Sequence, residues 1–401
     1  MKINRRVHNY PLLVFFLIGL TLVGCSERSA KNKQIIVKNT LEIDRSLETV
    51  AVNIASLNLD STLVNSGILG VVESETGKEL TSQTVDTNGD GTMDQILFQP
   101  EIKALSENRF RIVRTDKKEK QVGDPICYSR FVPERTDDYT WENNRVAFRT
   151  YGPTGQKEAL EGVPGSTLSS GIDAWLKRVE YPIINKWYKK TVSGKGSYHE
   201  DTGEGLDNFH VGDSRGIGGT AVKVDTTYYV SKNYDTWKTI TTGPIRTSFI
   251  ITYASWDAAG LKISESKHIS LDYGSNLSRI EVAVKGTDRM SAGLTLHENA
   301  GVTTEKPNEG WLSYWEPHGD SELGSGIVAP KEEIKDIEKY VSSQKDLSNL
   351  YMRLKVNDGK IVYYAGFGWK KSGQFQSRSA WNQYLSLFAL KINNPMEVLI
   401  E

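Results

Sequence analysis

Cysteine and unbalanced charge are both scarce in this chain, and each shortage excludes a class of protein. Only two of the 401 residues are cysteines and they form no CxxC pair, which excludes a disulfide framework and a zinc finger. The 49 Lys and Arg residues are nearly balanced by 50 Asp and Glu residues. A formal net charge of −1 gives no global basic field, so we expect no nucleic-acid partner.

Long apolar runs are also rare, and the one that approaches membrane length lies at the N-terminus. Three basic residues among the first six precede an apolar core at residues 12–23, which is too short for a spanning helix of about 20 residues. The core ends in Leu-Val-Gly directly before Cys25, a lipobox pattern. We therefore predict a lipoprotein signal peptide over residues 1–24 and lipidation of Cys25.

The lipid on Cys25 would be the only membrane contact of the mature chain. Residues 25–34 are predicted to form a polar tether, and we expect an anchor in the outer membrane, on its periplasmic side or at the cell surface. Cys127 would then have no intramolecular partner, so we interpret it as a buried apolar thiol. The alternative is an ordinary secreted protein in which Cys25 is incidental.

Period-two patterning dominates the mature chain and predicts an all-β fold. Strand candidates lie at residues 49–54, 67–72, 95–98, 109–113, 221–224, 247–251, 280–284 and 360–364. Their spacing predicts a small N-terminal β-sandwich over residues 35–120 and a large antiparallel β-sandwich over residues 121–401. The charged run at residues 116–120 marks the boundary, and residues 331–346 are the clearest helix candidate, as a surface helix or lid.

Residues 86–94, with the sequence DTNGDGTMD, resemble a calcium loop, because oxygen ligands alternate around a glycine. The twelfth position is Leu97 and not the bidentate Glu of that motif, and the flanking segments are strand-like. Asn-Gly and Asp-Gly pairs are also typical of hairpins. A tight turn is the preferred interpretation, and a calcium site is the alternative.

The segment 141–151 predicts a strand with one face suited to an anionic sugar. That face would carry Trp141, Asn143, Arg145, Ala147, Arg149 and Tyr151. Guanidinium groups bind carboxylate or sulfate in a bidentate manner, and aromatic rings stack on sugars. An exposed strand with cross-strand ion pairs is the alternative.

Residues 198–219 contain the densest polar cluster of the chain, rich in glycine and acidic residues. Such a segment cannot form an apolar core, so either catalysis or a metal would explain its order. His199, Asp201, Glu204 and His210 could together ligate a cation, although no HExxH-like spacing supports it. A solvated loop is the alternative.

Six segments together resemble a known family of lipoproteins from polysaccharide-degrading bacteria, whose best-understood activity is that of the ulvan oligosaccharide dehydratase. They are residues 86–98, 141–153, 170–188, 198–219, 243–253 and 295–301. The similarity extends from about residue 41 to the C-terminus. Each segment alone is a weak signal, but the set is fairly specific. Members are encoded beside genes for uronate-containing polysaccharides.

The resemblance implies a galactose-mutarotase-like β-sandwich and a hydro-lyase. The enzyme would remove water across C4 and C5 of a glucuronate or iduronate at the non-reducing end, next to rhamnose 3-sulfate. The product would be a 4,5-unsaturated uronate. The partner would thus be an anionic, sulfated oligosaccharide. No cofactor is required, and a divalent cation such as calcium is left open.

Such an elimination needs a base for the C5 proton, an acid for the departing hydroxyl and a group that neutralises the carboxylate. The residue types predict His210 as the base and either Tyr198 or His199 as the acid. Three arginines could neutralise the carboxylate: Arg215, which is preferred, Arg145 and Arg149.

The remaining site predictions concern substrate binding. Lys177 and Arg178 would hold the sulfated sugar together with Trp141, and His297 is a further candidate. Trp311 and Trp315 could line a sugar cleft or pack in the core. Two other functions remain open, an endo-acting polysaccharide lyase and a non-catalytic glycan-binding lipoprotein.

Overall fold

The computed structural model describes Met1 and residues 33–59, 69–115 and 123–401. The predicted signal peptide, Cys25, most of the tether and the charged boundary run at residues 116–120 therefore lie outside the described residues. The described residues from 33 to 401 belong to one compact unit. Within the described ranges, no helix is both long and apolar enough to span a bilayer.

The N-terminal strands form two small sheets around one apolar core. These strands are β1 (Ile35–Lys38), β2 (Val50–Asn53), β3 (Leu69–Glu73), β4 (Glu79–Leu80), β5 (Ser82–Val85), β6 (Gln95–Phe98) and β7 (Glu107–Arg114). One sheet has the order β1-β7-β3-β4 and the other β2-β6-β5. Side chains from both sheets, such as Val37, Val52 and Phe110, share one buried cluster, as in a sandwich.

The middle of the chain forms a third sheet with two helices beside it. Its elements are β8 (Tyr128–Val132), β9 (Asp138–Glu142), β10 (Ala147–Thr150), α1 (Pro153–Leu160), β11 (Asp173–Lys177), α2 (Ile184–Val192) and β12 (Gly205–Leu206). The sheet has the order β12-β11-β10-β9-β8. Cys127, next to the edge strand β8, is a buried free thiol, as predicted.

Two larger antiparallel sheets follow. Their strands are β13 (Ile217–Val224), β14 (Thr227–Tyr229), β15 (Thr236–Thr241), β16 (Arg246–Thr252), β17 (Trp256–Ala258), β18 (Leu261–Asp272), β19 (Leu277–Lys285), β20 (Arg289–Thr295), β21 (Val302–Lys306), β22 (Trp311–His318), β23 (Ser321–Val328), β24 (Ile334–Tyr340), β25 (Asn349–Lys355) and β26 (Lys360–Trp369). Helix α3 (Arg378–Asn393) and strand β27 (Glu397–Ile400) end the described chain. Four short 3-10 helices lie at Ile54–Leu57, Pro133–Arg135, Lys331–Glu333 and Lys370–Ser372.

The two larger sheets enclose the main core, which confirms the predicted all-β sandwich. One has the order β14-β13-β20-β25-β24, and the other runs β15-β16-β18-β19-β26-β23-β22-β21, with β17 paired to β18. Buried side chains of both sheets, including Met352 and Ile280, belong to one continuous apolar cluster. Trp141 and Phe148 of the third sheet extend this cluster.

The last strand returns to the first sheet of the chain. Strand β27 pairs antiparallel with β1, so that Ile35 lies opposite Ile400 and Lys38 opposite Glu397. The hydrogen-bonding edge of β1 that β7 does not use is thereby covered, and the short strand β27 becomes the edge of this sheet in place of β1.

The predicted helix over residues 331–346 is wrong. Only Lys331–Glu333 forms a 3-10 turn, and the chain then becomes β24, which pairs with β25. The Arg353 guanidinium donates to both carboxylate oxygens of Asp336 across this pair. Strand pairing and the burial of Ile334 outweigh the helical charge pattern here.

The expected single strand over residues 141–151 is in fact a hairpin. The Asn143 side-chain oxygen accepts the backbone N–H groups of Arg145 and Val146, which reverses the chain between β9 and β10. Trp141 then pairs with Phe148, whereas Arg149 pairs with Thr140. Trp141 and Arg149 therefore face opposite sides of the sheet, and the shared sugar-binding face does not form.

Helix α3 packs on a flat patch of the nine-stranded sheet that glycines create. An added Cβ at Gly324 would lie 2.7 Å from Trp381, and one at Gly326 would lie 2.7 Å from Leu385. The predicted ambiguity of Trp311 and Trp315 is resolved in favour of packing, since both belong to the apolar cluster under this helix.

We predict that Trp381→Ala lowers the free energy of unfolding by about 3–5 kcal/mol, because it leaves a cavity between α3 and the sheet. Urea or guanidinium denaturation measures this change. Leu387→Ala on the exposed face of the same helix is the control and should change stability by less than about 0.5 kcal/mol. Equal effects of the two substitutions would contradict this packing.

Candidate active site

The glycine-rich segment predicted to carry chemistry is fixed to the third sheet. Strand β12 pairs with β11, with Lys177 opposite Gly205. Gly205 has a φ of +110°, and a Cβ there would lie 1.9 Å from the carbonyl oxygen of Leu176. Only glycine fits this approach. Asp207 and Phe209 are buried, so the solvated-loop alternative does not describe this segment.

A buried cluster of charged side chains around Arg149 holds the segment in place. The Arg149 guanidinium contacts Asp207 Oδ2 at 2.9 Å, Asp173 Oδ2 at 2.8 Å and Asp138 Oδ2 at 3.7 Å. Arg149 pairs with Asp173 across β10 and β11. Three carboxylates therefore share one guanidinium, with Arg135 as a second nearby positive charge.

Burial controls the protonation of these carboxyl groups. Burial raises the pKa of Asp138 to about 6, although Arg149 and Arg135 oppose the shift. Burial, together with the neighbouring Asp207, raises the pKa of Asp173 to about 7 despite Arg149. Asp173 Oδ1 is buried and has no hydrogen-bond partner among the described residues, which fits a carboxyl group that retains a proton.

His199 lies at the solvent side of this charge cluster. Its Nδ1 is 2.6 Å from the carbonyl oxygen of Asp207, and its side chain is 59% exposed. Tyr198, the other predicted acid, is buried, and its hydroxyl accepts from Arg135 Nε at 3.3 Å and Arg149 Nη1 at 3.5 Å. Of the two predicted acids, His199 is therefore the one that is exposed to solvent.

His210 is exposed and is oriented by a carboxylate that sequence reasoning missed. Its Nε2 lies 3.0 Å from Oδ2 of Asp346, in the loop between β24 and β25. Gly212 allows this contact, because a Cβ there would lie 2.0 Å from the same carboxylate oxygen. With Nε2 bonded to a carboxylate, Nδ1 of the neutral ring is available as a base.

Two further histidines complete the site. His297 Nδ1 lies 2.6 Å from Glu316 Oε1, and its Nε2 lies 2.9 Å from the carbonyl oxygen of His210. His318 Nε2 lies 3.1 Å from Oδ1 of Asn208. The described ranges contain five histidines, and four of them lie on or contact the segment 207–210.

The pKa values of the two inner histidines, His297 and His318, are shifted in opposite directions. Burial alone would lower the pKa of His297, but the hydrogen bond and charge of Glu316 outweigh it and raise that pKa. Burial, and then the charge on His297, lower the pKa of His318 to about 4. His297 therefore holds a proton more readily than His318 does.

Several residues predicted to bind substrate instead hold the interior together. Trp141 is fully buried and donates to Ser278 Oγ. Lys177 is buried and donates to Glu142 Oε2 at 2.7 Å. Asn143 donates to the carbonyl oxygens of Asp272 and Ser275. Direct contact of Trp141, Asn143 or Lys177 with a sugar would need these interior bonds to break.

The arginines predicted to neutralise the carboxylate are also occupied. Arg215 is buried and donates to Ser170 Oγ and to the carbonyl oxygens of Thr220 and Asp213. Arg145 donates to Asn276 Oδ1 and lies over Phe375. Arg149 serves the aspartate cluster and lies 5.5 Å from the buried ring of Tyr151. Arg178, a further predicted cation, has a partly exposed side chain and pairs with Asp201 at 3.0 Å.

The predicted four-residue cation set is not brought together. Asp201 pairs with Arg178, and Glu204 pairs with Lys186, so these carboxylates have other partners. In the calcium-like loop, Asp86 accepts the backbone N–H groups of Gly89 and Gly91. That segment joins paired strands β5 and β6, which confirms the predicted turn.

A cavity elsewhere in the described residues does not offer a free cation. It has a volume of about 540 Å³ and lies between residues 45–51, the sheet and helix α3. Its cationic side chains are all paired: Arg45 and Lys391 with Glu48, Arg246 with Asp272, and Arg279 with Glu281. The histidine-lined segment is the better candidate for acid–base chemistry, since it combines exposed imidazoles with orienting carboxylates.

The fold and this site define an all-β sandwich protein with a histidine-rich polar site. A protein-family model described as Domain of unknown function (DUF4861) matches residues 37–398, and the chain belongs to this family. The curated protein "Uncharacterized protein P7" from Formosa agariphila is 53% identical over 394 residues, which cover 98% of this chain and 100% of the relative.

Two solved structures from Enterococcus faecalis show a more distant similarity. One is an alpha-mannosidase of strain V583, with a TM-score of 0.42, and the other a protein in glycosyl hydrolase family 38, with a TM-score of 0.43. Both are 10% identical and cover 92% of this chain. The chain spans 46% and 47% of their lengths. At this level neither carries an argument about activity.

We predict that Asp173→Asn makes stability less dependent on pH. Because the pKa of Asp173 is raised, the folded state binds its proton more tightly than the unfolded state does, and this proton contributes to folding stability. The contribution is fully present below the unfolded pKa of about 3.9 and is lost as the pH rises through about 7. The variant should therefore gain stability relative to wild type on the order of 1–3 kcal/mol between about pH 5 and 8.

Thermal unfolding across that pH range measures the effect. Asp336→Asn is the matched control, because Asp336 also pairs with an arginine but lies at the surface. A parallel pH dependence of wild type and Asp173→Asn would contradict the buried, proton-holding state.

Proposed function

We propose that this protein is a carbohydrate-active lyase that removes water from the uronate at the non-reducing end of an anionic oligosaccharide. The observation that carries the proposal is the pair of exposed histidines, His199 and His210, on one fixed segment, with Asp346 orienting His210 at 3.0 Å. The resemblance of six segments to the ulvan oligosaccharide dehydratase family supports the substrate class.

The proposed base is His210. Its Nδ1 takes the C5 proton, and the electron pair of that C–H bond becomes the second bond between C4 and C5. Asp346 fixes the ring and stabilises the imidazolium that forms, as the carboxylate of a catalytic triad does. A positioned proton transfer of this kind contributes about 10²–10⁴ in rate.

The proposed acid is His199. As the C4–O bond breaks, the imidazolium of His199 protonates the hydroxyl, which leaves as water. Its exposure favours it over Tyr198, whose hydroxyl is enclosed by Arg135 and Arg149. Solvent then returns the proton from His210 to bulk and recharges His199, so the enzyme ends in its starting state.

Neutralisation of the uronate carboxylate falls to His297 in this proposal. Glu316 raises the pKa of His297 and so favours its protonated form, and Nε2 of His297 lies 2.9 Å from the carbonyl oxygen of His210. Arg178 and Lys371, both partly exposed, are proposed to bind sulfate groups further along the oligosaccharide.

The test is incubation of the protein with saturated ulvan oligosaccharides. We expect mass spectrometry to show the loss of one water at the non-reducing end, with ultraviolet absorbance from the unsaturated uronate and no shorter chains. Smaller products would instead indicate an endo-acting lyase, and binding without any product would indicate a glycan-binding protein.

We predict that His210→Ala and His199→Ala each lower kcat by roughly 10²–10⁴-fold, because each removes one proton transfer. His268→Gln is the control, since His268 lies on β18, bonded to Ser248. Full activity in both alanine variants would refute the assigned roles, even if the dehydratase activity itself were found.

We also propose that the protein is lipid-anchored through Cys25. A Cys25→Ala variant should move from the membrane fraction to the soluble fraction, because the acyl chains that hold it are missing. Cell fractionation with immunodetection measures this. Cys127→Ala is the control and should stay with the membrane, since Cys127 is a buried thiol. Unchanged membrane retention of Cys25→Ala would contradict the anchor.

A further inference from the structure

His297, Glu316 and His318 bring two imidazoles and a carboxylate together at one edge of the candidate site. Their ligand atoms all lie within 4.8 Å of one another. Glu316 and His318 are two positions apart on β22, so they share one face of that strand. His297 follows β20 with a φ of +42°, and this left-handed backbone places its ring against Glu316.

The surroundings of the three side chains match those of a metal site. Histidines that bind metals usually give their second ring nitrogen to a carbonyl or carboxylate, which fixes the ring. His297 Nε2 contacts the carbonyl oxygen of His210 at 2.9 Å, and His318 Nε2 contacts Asn208 Oδ1 at 3.1 Å. The bond to Asn208 leaves Nδ1 of His318 for a ligand, whereas Nδ1 of His297 lies 2.6 Å from Glu316 Oε1, where an ion would bridge the two.

Burial and access also fit. Glu316 is 5% exposed, whereas the side chain of His297 retains 15% exposure and His318 is half-buried. The carboxylate is therefore shielded from water while the rings border solvent. Such a partly open site can admit an ion and still leave a position for another ligand.

We propose that His297, Glu316 and His318 bind a divalent transition-metal ion of the zinc class. Two histidines and one glutamate are the donor set of several zinc enzymes, with a fourth position open to water or substrate. A tetrahedral site with bonds of about 2.0–2.1 Å places its ligand atoms roughly 3.4 Å apart. The present arrangement needs only side-chain adjustment to reach this, with the ion replacing the proton between His297 and Glu316.

The open position gives the ion a role in the proposed function, and this step rests on that function. An ion there would lie beside the segment that carries His210, where a uronate carboxylate could coordinate it. A carboxylate bound to a divalent cation withdraws charge from C5 more strongly than one bound to a single imidazolium. With the ion bound, His297 is a ligand and no longer a cation, so the ion would take over from it the neutralisation of the carboxylate.

Metal binding is tested without any substrate. The purified full-length protein is treated with a chelator, dialysed against Zn²⁺, and its metal content is measured by mass spectrometry. We expect one Zn²⁺ per chain, and Co²⁺ in its place should give the visible absorption of a four- or five-coordinate ion. Glu316→Gln and His318→Ala should bind Zn²⁺ at least about 100-fold more weakly.

Two further variants separate a metal site from a structural cluster. Asn208→Ala removes only the bond that orients His318 and should weaken binding by about 10–100-fold. His199→Ala, an exposed histidine outside the three, should bind Zn²⁺ as wild type does. Thermal unfolding without metal checks that each variant folds. If the ligand variants do not fold, the Co²⁺ spectrum of the wild type and the Zn²⁺ affinity of Asn208→Ala still test whether the three side chains bind a metal.

Less than one Zn²⁺ per chain in wild type, or undiminished binding in Glu316→Gln and His318→Ala, would overturn the site. Its failure is distinguishable from failure of the proposed function. If the protein remains an active dehydratase after complete metal removal, the proposed function stands and the role of the ion in it is refuted. A protein that binds Zn²⁺ but leaves every uronate oligosaccharide unchanged keeps the site and loses the activity.

Discussion

The contact between the Arg149 guanidinium and the Asp207 carboxylate is the interaction on which the candidate site depends. It lies in the interior, at 2.9 Å, where an unpaired charge would be strongly unfavourable. The contact therefore holds the backbone at residue 207 with little freedom. The next three residues supply an amide to His318, a ring against His297 and the side chain of His210. Four histidines thus take their positions from one buried ion pair.

The electrostatic design of this region separates two environments a few residues apart. On the buried side of the segment, three aspartates surround Arg149 and Arg135, and burial favours the protonated forms of their carboxyl groups. On the solvent side, the carboxylates of Asp346 and Glu316 orient the imidazoles of His210 and His297. The interior cluster has no free charge for a ligand, whereas the histidines near solvent offer ring nitrogens. The buried aspartate cluster therefore stabilises the fold, and the histidines near solvent are the groups available for chemistry.

Local patterns in the sequence predict much of the fold. Alternation and turn residues place the strands correctly, as at residues 95–98, which form β6 with the same bounds. The same reasoning fails where distant partners decide. Residues 334–340 are a strand because β25 lies beside them, and Asn143 turns a chain whose alternation suggests a continuous strand. The helices α1 to α3 are missed. Helices α1 and α3 have only weak amphipathic patterns, whereas in the nine-residue helix α2 the buried Ile184, Trp187 and Tyr188 do follow a helical spacing that sequence reasoning overlooked.

The candidate site is predicted only in part for a similar reason. Its central segment is recognisable from its composition, and His199 and His210 are found there. Asp346, Glu316 and His318 come from β22 and the loop after β24, more than 100 residues away. A Glu and a His two positions apart on a strand is a faint signal by itself. The charged residues that seemed best suited to an acidic sugar, such as Lys177, are instead neutralised by interior partners.

The pairing of β27 with β1 has a consequence for how the protein reaches its native state. The first sheet cannot gain its outer strand until residues 397–400 have left the ribosome, and, if the signal peptide acts as proposed, until they have crossed the inner membrane. Strand β1 must therefore wait with one row of backbone groups unsatisfied while the whole sandwich is made. Closure between such distant segments is slow, which makes this edge a natural point for chaperones to protect.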